Sequence, residues 1–297
     1  MNKTCIVISG PTAVGKTPLA ISVAKYFSTQ IISSDSRQCY KELSIGVAKP
    51  SQEELTSVPH YFVNSHTIHE SVNAGIFEKY ALEKVQEIFL KSDVAVIVGG
   101  TGLYTKTFCE GIDQLPIVSS SIREDIISNY EKGGLEWLQI EVKKNDPLYF
   151  SKGEIHNPHR LIRALEVVMS SGKSIVEFQT KKSHTRDFKI IQIGLELPRE
   201  ELYQRINGRV DQMILEGLEE EVKNLIAYQE LNALQTVGYR ELFDYFSEKI
   251  SLQKAIESIK INTRHYAKRQ MTWFKKDGSI KWTSPDFDKV LHLISEN

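Results

Sequence analysis

Residues 10–17 read Gly-Pro-Thr-Ala-Val-Gly-Lys-Thr and fit the pattern G-x-x-x-x-G-K-[ST]. The pattern has mechanical meaning here because of what flanks it. The β-branched run Thr4-Cys5-Ile6-Val7-Ile8 precedes it as a strand, and Leu19, Ala20, Val23, Ala24 and Phe27 follow at helical spacing. A loop so placed turns its backbone N–H groups around an anion, with the positive end of the helix behind it, Lys16 adding a point charge and the Thr17 hydroxyl a ligand for Mg2+. Pro18 falls in the first helical turn, where a missing N–H costs little. Such an opening commits the chain to an open parallel α/β sheet, whose ligands sit outside the carboxyl ends of the strands. It requires a ligand with at least two phosphates and leaves open whether phosphate is transferred, hydrolysed or discarded.

Later strands deliver residues to the same rim. Gln30-Ile31-Ile32-Ser33 reads as a short strand ending in Ser34-Asp35-Ser36-Arg37-Gln38. Asp35 and Ser36 fit two roles equally there, the cap of a following helix or a catalytic carboxylate with its neighbour. Residues 45–50 are loop-like, His60-Tyr61-Phe62-Val63 reads as a strand near the edge, and Ile76, Tyr80, Leu82, Val85, Ile88 and Phe89 mark a helix. Val94–Val98 has the continuous apolar character of a strand covered on both faces. Kinases and ATPases with such a loop often place a metal-holding Asp after this strand. Here the chain reads Gly99-Gly100-Thr101-Gly102-Leu103-Tyr104. The glycines admit close backbone approach, and Thr101 is either a hydroxyl donor to a ligand or the cap of the next helix.

A length of 297 residues exceeds the comfortable size of one core, so a second, smaller unit is expected. With 41% hydrophobic and 25% charged residues, and no apolar run long enough to cross a bilayer, the composition is that of a soluble protein. The first strand begins too early to leave room for a signal peptide, and a cytoplasmic location is expected. Cys5, Cys39 and Cys109 are far apart and read as reduced thiols. The net charge of −1 hides a local asymmetry: seven Lys or Arg against the single acid Asp277 between Lys260 and Lys281, and an acidic run from Glu216 to Glu221.

From about Gln114 to Asp187 the strand rhythm yields to amphipathic helices such as Ile122-Ile126-Tyr130 and Leu135-Leu138-Val142. The expected fold is therefore α/β, a P-loop NTPase-like parallel sheet flanked by helices over 1–113 and 188–297, with a smaller all-helical insertion over 114–187. Arg160 and Arg163 lie one turn apart in that insertion, a spacing that equally suits a plain solvated face. Lys189–Leu195 restores a strand, and Arg205 and Arg209 lie on a helix opening at Arg199. The last long helix interleaves Arg264, His265, Lys268, Arg269, Lys275 and Lys276 with Tyr266, Trp273 and Phe274, which suits a nucleic-acid backbone or an exposed basic face.

Taken in order, these residues resemble the tRNA dimethylallyltransferases, also called tRNA isopentenyltransferases. The likeness rests on residues 10–17, Asp-Ser-Arg-Gln at 35–38, Ile-Gly-Val-Ala-Lys-Pro at 45–50, Val-Gly-Gly-Thr-Gly-Leu-Tyr at 98–104, Arg-Ala-Leu-Glu-Val at 163–167, Val-Gly-Tyr-Arg at 237–240 and Thr-Arg-His-Tyr-Ala-Lys-Arg-Gln at 263–270. The resemblance implies transfer of a dimethylallyl group from its diphosphate to the exocyclic amine of the adenosine just 3′ of a tRNA anticodon. It implies diphosphate binding by Gly10, Thr12, Ala13, Val14, Gly15, Lys16, Thr17 and Arg209, with Mg2+ on Thr17. Asp35 is implied as general base and Thr101 as hydrogen-bond donor to the leaving oxygen.

Contact with the tRNA anticodon stem-loop is implied for Asp35, Ser36, Arg37, Gln38, Thr101 and Arg123. The same holds for His159, Arg160, Leu161, Ile162 and Arg163, and for Gln235, Thr236, Val237, Gly238, Tyr239 and Arg240. The resemblance further implies a base extruded from its stack, an insertion that clamps the stem-loop, and a monomer of the bacterial type without a C-terminal zinc finger. Pro18, Cys39 where an aliphatic residue is usual, and residues 64–75 depart from the family pattern. Rival readings are a small-molecule kinase using ATP, a transferase acting on free adenine nucleotides, and a non-enzymatic RNA-binding protein.

Overall fold

The computed structural model describes residues 3–179 and 184–296. The chain opens with β1 (Thr4–Ser9), α1 (Lys16–Tyr26) and β2 (Ile31–Ser33), then α2 (Gln52–Ser57), β3 (His60–Tyr61), α3 (Ala74–Phe89), β4 (Val94–Gly99) and α4 (Gly102–Glu110). Helices alone follow: α5 (Ser120–Asn145), non-helical at Gly134, α6 (Pro147–Lys152), α7 (Pro158–Ser171) and α8 (Ile175–Phe178). After β5 (Lys189–Leu195) come α9 (Arg199–Leu215), α10 (Leu218–Lys223), α11 (Tyr239–Phe246), α12 (Leu252–Phe274), β6 (Lys281–Thr283) and α13 (Phe287–Ser295). Two compact units result, residues 1–111 with 185–297, and residues 112–184.

The main unit holds a six-stranded sheet in the order β3-β2-β4-β1-β5-β6, with every pairing parallel. Parallel neighbours require crossovers, which put helices on both faces and explain the continuous apolar strands. Alternation sorts their side chains. Cys5, Val7, Ile32, Ala95 and Ile97 share one core with Phe77, Ala81 and Val85 of α3 and Ala255 and Ile259 of α12. Ile6, Ile8, Ile31, Val96 and Val98 share the other with Leu19, Ala20 and Val23 of α1 and Leu202 and Ile206 of α9. Because all strands run one way, the loops after β1, β2 and β4 emerge on one edge.

Two elements differ from expectation at the sheet margins. The strand expected over 60–63 stops at Tyr61, because Phe62 takes a φ of 61° and turns inward against Phe77, Tyr80 and Tyr104. After Arg199, where the sequence reading names helices alone, the chain also contains β6 at the opposite edge, a short half-buried strand that starts on the last residue of the basic run.

The smaller unit packs α5 against α7 through Ile126, Leu138, Val142, Leu161 and Leu165. The buried Asp146 caps α6 through the N–H of Tyr149 and also accepts from the N–H of Ile175, so one carboxylate ties α6 to the start of α8. Among the described residues no helix is long and apolar enough to cross a membrane.

Phe77 is fully buried and stacks on Tyr104 with ring centroids 4.7 Å apart. Phe77→Ala is expected to destabilise the main unit by about 3–5 kcal/mol in urea unfolding. A loss below about 1 kcal/mol would contradict this account of the core.

Candidate active site

The loop after β1 is shaped by backbone conformations that few residues adopt. Gly15 precedes α1 with a φ of 102°, and Ala13 sits at a φ of 66°. A non-glycine residue in that region is uncommon and concentrates at functional turns. Pro18 lies in the first turn of α1. Lys16 folds over its own loop, its Nζ donating to the carbonyls of Gly10 at 3.0 Å and Pro11 at 2.7 Å. From α9, Nη1 of Arg209 donates to Thr12 Oγ1 at 3.1 Å. Desolvation, then the neighbouring Arg209, pulls the Lys16 ammonium down to about 7, with Asp35 opposing. Burial likewise lowers the Arg209 guanidinium. Among the described residues neither cation has an ion-pair partner, so the loop holds two poorly solvated positive charges that an anion would relieve.

On the rim beside this loop neither Asp35 nor Thr101 caps a helix. Asp35 is followed by a turn rather than a helix; its Oδ1 accepts from the N–H of Arg37 at 2.8 Å and of Gln38 at 3.3 Å. Among the described residues both bonds fall on that one oxygen, which leaves Oδ2 for a ligand. Thr101 occupies the cap position of α4 but does not cap it. Its Oγ1 instead accepts from the N–H of Ser36 at 3.0 Å and donates to Ser36 Oγ at 3.2 Å. The loop after β4 is thereby joined to the turn after β2.

Sequence reasoning missed three residues. Gln270 of α12 is 6% exposed; its Oε1 accepts from the N–H of Thr12 at 2.9 Å and its Nε2 donates to the carbonyl of Gly100 at 2.8 Å. One amide thus ties the anion loop to the Thr101 loop. Gly100 is required for this contact, since a Cβ there would stand 2.2 Å from Nε2. One turn earlier, the Tyr266 phenol is pushed up by burial and then by Asp35, against Arg37, Arg269 and a hydrogen bond with Thr101, so it remains a neutral donor. Glu221 of α10 accepts from the N–H groups of Ser44, Ile45 and Gly46 and, at 2.6 Å, from the Tyr239 hydroxyl. It holds the 44–46 loop to the start of α11. A Gln within a basic helix, or one Glu within an acidic run, carries no local signal of such roles.

These walls enclose a cavity of about 1460 Å³, lined by Lys16, Asp35, Arg209, Tyr266 and Gln270 among others. Thr17, Ser36, Arg37, Gln38, Gln235, Thr236, Val237, Gly238 and Arg240 line it too. The Gln38 amide is engaged with the carbonyls of Val47 and Ala48, and Arg37 with that of Asn232. Tyr239 is fully buried, so its side chain belongs to the core and not to a contact surface. Cys39 is fully buried with Sγ 3.6 Å from the Ser36 carbonyl, packed as a small aliphatic residue would be. Residues 38–41 and 64–66 hydrogen-bond through their backbones, which fixes the start of the divergent 64–75 segment.

In the smaller unit His159, Arg160 and Arg123 are exposed and Ile162 and Arg163 half-buried. Leu161 is a core residue. The basic helix is also divided: Lys260 pairs with Asp211, Arg264 with Asn207 and the Tyr203 ring, and Lys275 with Glu196 and the Trp282 ring. His265, Lys268 and Arg269 remain exposed.

A parallel sheet with a G-x-x-x-x-G-K-[ST] loop on its central strand, and no acidic residue at the end of β4, defines a P-loop protein whose loop shares a cavity with the Asp35 carboxylate. The family model for IPP transferase matches residues 38–277. The chain is 48% identical over 285 residues to the tRNA dimethylallyltransferase of Cytophaga hutchinsonii, covering 96% of this chain and 94% of that one. It is 45% identical over 289 residues to tRNA dimethylallyltransferase 1 of Bacteroides fragilis, covering 97% and 96%. Among solved structures, the full-length tRNA isopentenylpyrophosphate transferase of Bacillus halodurans matches with a TM-score of 0.72 and 33% identity, over 99% of this chain and 95% of that one. A eukaryotic dimethylallyltransferase acting on tRNA matches with a TM-score of 0.81 and 28% identity, over 95% and 74%. The chain belongs to the IPP transferase family.

Gln270→Ala removes the partner of both the Thr12 N–H and the Gly100 carbonyl, and is expected to cost about 1–3 kcal/mol of stability. Amide exchange at Thr12 should accelerate with it. Unaltered exchange at Thr12 would show that the bridge does not hold the loop.

Proposed function

We propose that this chain is an enzyme that transfers the dimethylallyl group of dimethylallyl diphosphate to the exocyclic N6 amine of the adenosine 3′-adjacent to the anticodon, position 37, of tRNAs reading codons that begin with U. Family membership and the names of its relatives support prenyl transfer to tRNA. The observation that carries the residue assignment is the pair of bonds between Thr101 and Ser36, which fastens a neutral hydroxyl to the residue next to Asp35.

The diphosphate lies in the cradle of Gly10, Thr12, Ala13, Val14 and Gly15, against Lys16 and Arg209. Charge gathered there makes it a better leaving group. The C–O bond breaks with its electron pair going to the diphosphate oxygen, toward which Thr101 donates by turning its one hydroxyl proton away from Ser36 Oγ. The adenine nitrogen forms the new C–N bond, and its proton passes to Asp35, whose Oδ2 is unengaged. Ser36, Arg37 and Gln38 read the extruded base, Gln38 by exchanging its backbone partners for the base edge. In the smaller unit Arg123, His159, Arg160 and Arg163 meet RNA phosphates, and in the main unit residues 235–238 and Arg240 do so, with Arg240 foremost.

Mg2+ suits the donor chemistry at Thr17. It is a hard cation that keeps several waters and takes few protein ligands beside phosphate oxygens. The half-buried Thr17 hydroxyl lines the cavity beside Lys16, and among the described residues no cage of three or more acidic, imidazole or thiol groups competes for the ion. When bound it supplies positive charge to the departing diphosphate. The protein acts in the cytoplasm as a monomer. A kinase reading is not favoured, because no metal-holding acid follows β4.

The test is the mass of an anticodon stem-loop after incubation with pure protein and dimethylallyl diphosphate. Wild type is expected to add one dimethylallyl group. Asp35→Ala should abolish transfer while retaining RNA binding, and Thr101→Ala should lower kcat more than it raises the donor KM. Turnover preserved in Asp35→Ala removes Asp35 as the base.

Lys16 also fixes a pH dependence. Its ammonium is lowered to about 7 in the free protein, and the opposite charge of a bound diphosphate would raise it again. Below that value the lysine is already charged and this group adds no pH dependence. Above it, diphosphate binding takes up a proton, and affinity falls by up to about tenfold per pH unit. Titration calorimetry with inorganic diphosphate from pH 6 to 9 should show this component in wild type and lose it in Lys16→Met, where the ligand's own ionisation is unchanged. Identical pH profiles would contradict the assignment.

A further inference from the structure

The least satisfied group in the smaller unit is Glu166 of α7. Its side chain is 1% exposed, and a carboxylate so buried persists as an anion only when paired. Oε2 accepts from Nη1 of Arg163, one turn earlier on α7, at 3.0 Å. Oε1 is buried without a hydrogen bond and lies 3.2 Å from Nη1 of Arg123 on α5, out of line for one. One anion therefore faces two guanidinium groups, leaving one net positive charge. Both arginines keep their outer parts in solvent, with side chains 61% exposed at Arg123 and 40% at Arg163.

An interhelical strut is the plain explanation, but α5 and α7 already share the apolar contacts of Ile126, Leu138, Leu161 and Leu165. A strut would also need only one arginine. The arrangement accounts for both if the carboxylate's task is to hold them. A guanidinium carries five N–H donors; the glutamate takes one from Arg163, and among the described residues the others of both arginines have no protein acceptor. Long side chains held before a ligand arrives lose less entropy on binding it, and planar forks match phosphate oxygens.

We propose that Glu166 is a positioning residue for RNA, a buried carboxylate that presets Arg123 and Arg163 as a two-pronged grip on backbone phosphates. The inference rests on the proposed action on tRNA. Arg160, exposed one turn before Arg163, extends the same face.

The sign of one substitution separates this from simple charge. If Glu166 mattered only as a negative charge, Glu166→Gln would tighten RNA binding and steepen its salt dependence. If it positions the arginines, the same substitution raises the KM for an anticodon stem-loop about tenfold with kcat within about twofold. The slope of log affinity against log salt then becomes shallower by roughly 0.7–0.9 for each phosphate no longer gripped. Glu166→Asp should recover part of the affinity. An unchanged or lower KM in a folded Glu166→Gln protein overturns the proposal.

Should Glu166→Gln fail to fold, the free wild-type protein still decides. NMR order parameters at Nε of Arg123 and Arg163 should approach the rigid backbone value of about 0.85, and values below about 0.6 overturn the preset grip. If wild type modifies no RNA, the functional reading falls instead, while those order parameters still report on the arginines.

Discussion

Two cations crowd the loop after β1, and among the described residues neither forms an ion pair. Lys16 spends its protons on carbonyls of its own loop, and Arg209 rests on a threonine hydroxyl. Placing two desolvated positive charges together opposes folding, and the surrounding structure must hold them there. The left-handed turn at Gly15, the first turn of α1 and the packing of α9 against the sheet do so. The rest of the site is arranged around this unpaired charge. An anion relieves such charge, and the diphosphate of the proposed donor would supply it.

The parallel sheet supplies the second half of the geometry. The strand order sets β1 beside β4, and β4 beside β2, so the anion loop, the glycine-rich loop and the Asp35 turn share one edge. Adjacency alone would leave three independent loops. Hydrogen bonds link them: Gln270 joins the first to the second, Thr101 joins the second to the third, and Glu221 fastens the neighbouring 44–46 loop. Tyr266 and Gln270 lie four residues apart on α12, so one helix face meets consecutive residues of the glycine-rich loop. The helix that sequence reading treated as a basic surface is also the inner wall of the site.

How much was legible follows from where each signal resides. Central strands announce themselves, since burial on both faces leaves continuous β-branched runs such as Val94–Val98. The anion loop is legible because eight neighbouring residues carry it. Margins are harder: β3 stops where Phe62 turns into an aromatic cluster assembled from α3 and α4, and β6 is too short and half-buried to show a pattern. Asp35 and Thr101 were visible as candidates but not as roles, because capping and catalysis ask for the same side chains. Only their partners distinguish them. Gln270, Glu221 and Glu166 were hidden for a related reason: each acts on residues distant in sequence, and a polar residue in a helix looks solvated until its contacts are known.

The central claim is that the loop after β1 grips a diphosphate that leaves its hydrocarbon behind. It is tested most directly by phosphorus NMR of a turnover mixture containing dimethylallyl diphosphate, ATP and unmodified anticodon stem-loop. The account predicts that the two resonances of the prenyl donor give way to the single resonance of inorganic diphosphate, only when RNA is present, while ATP is untouched. Consumption of ATP with the prenyl donor intact would contradict it.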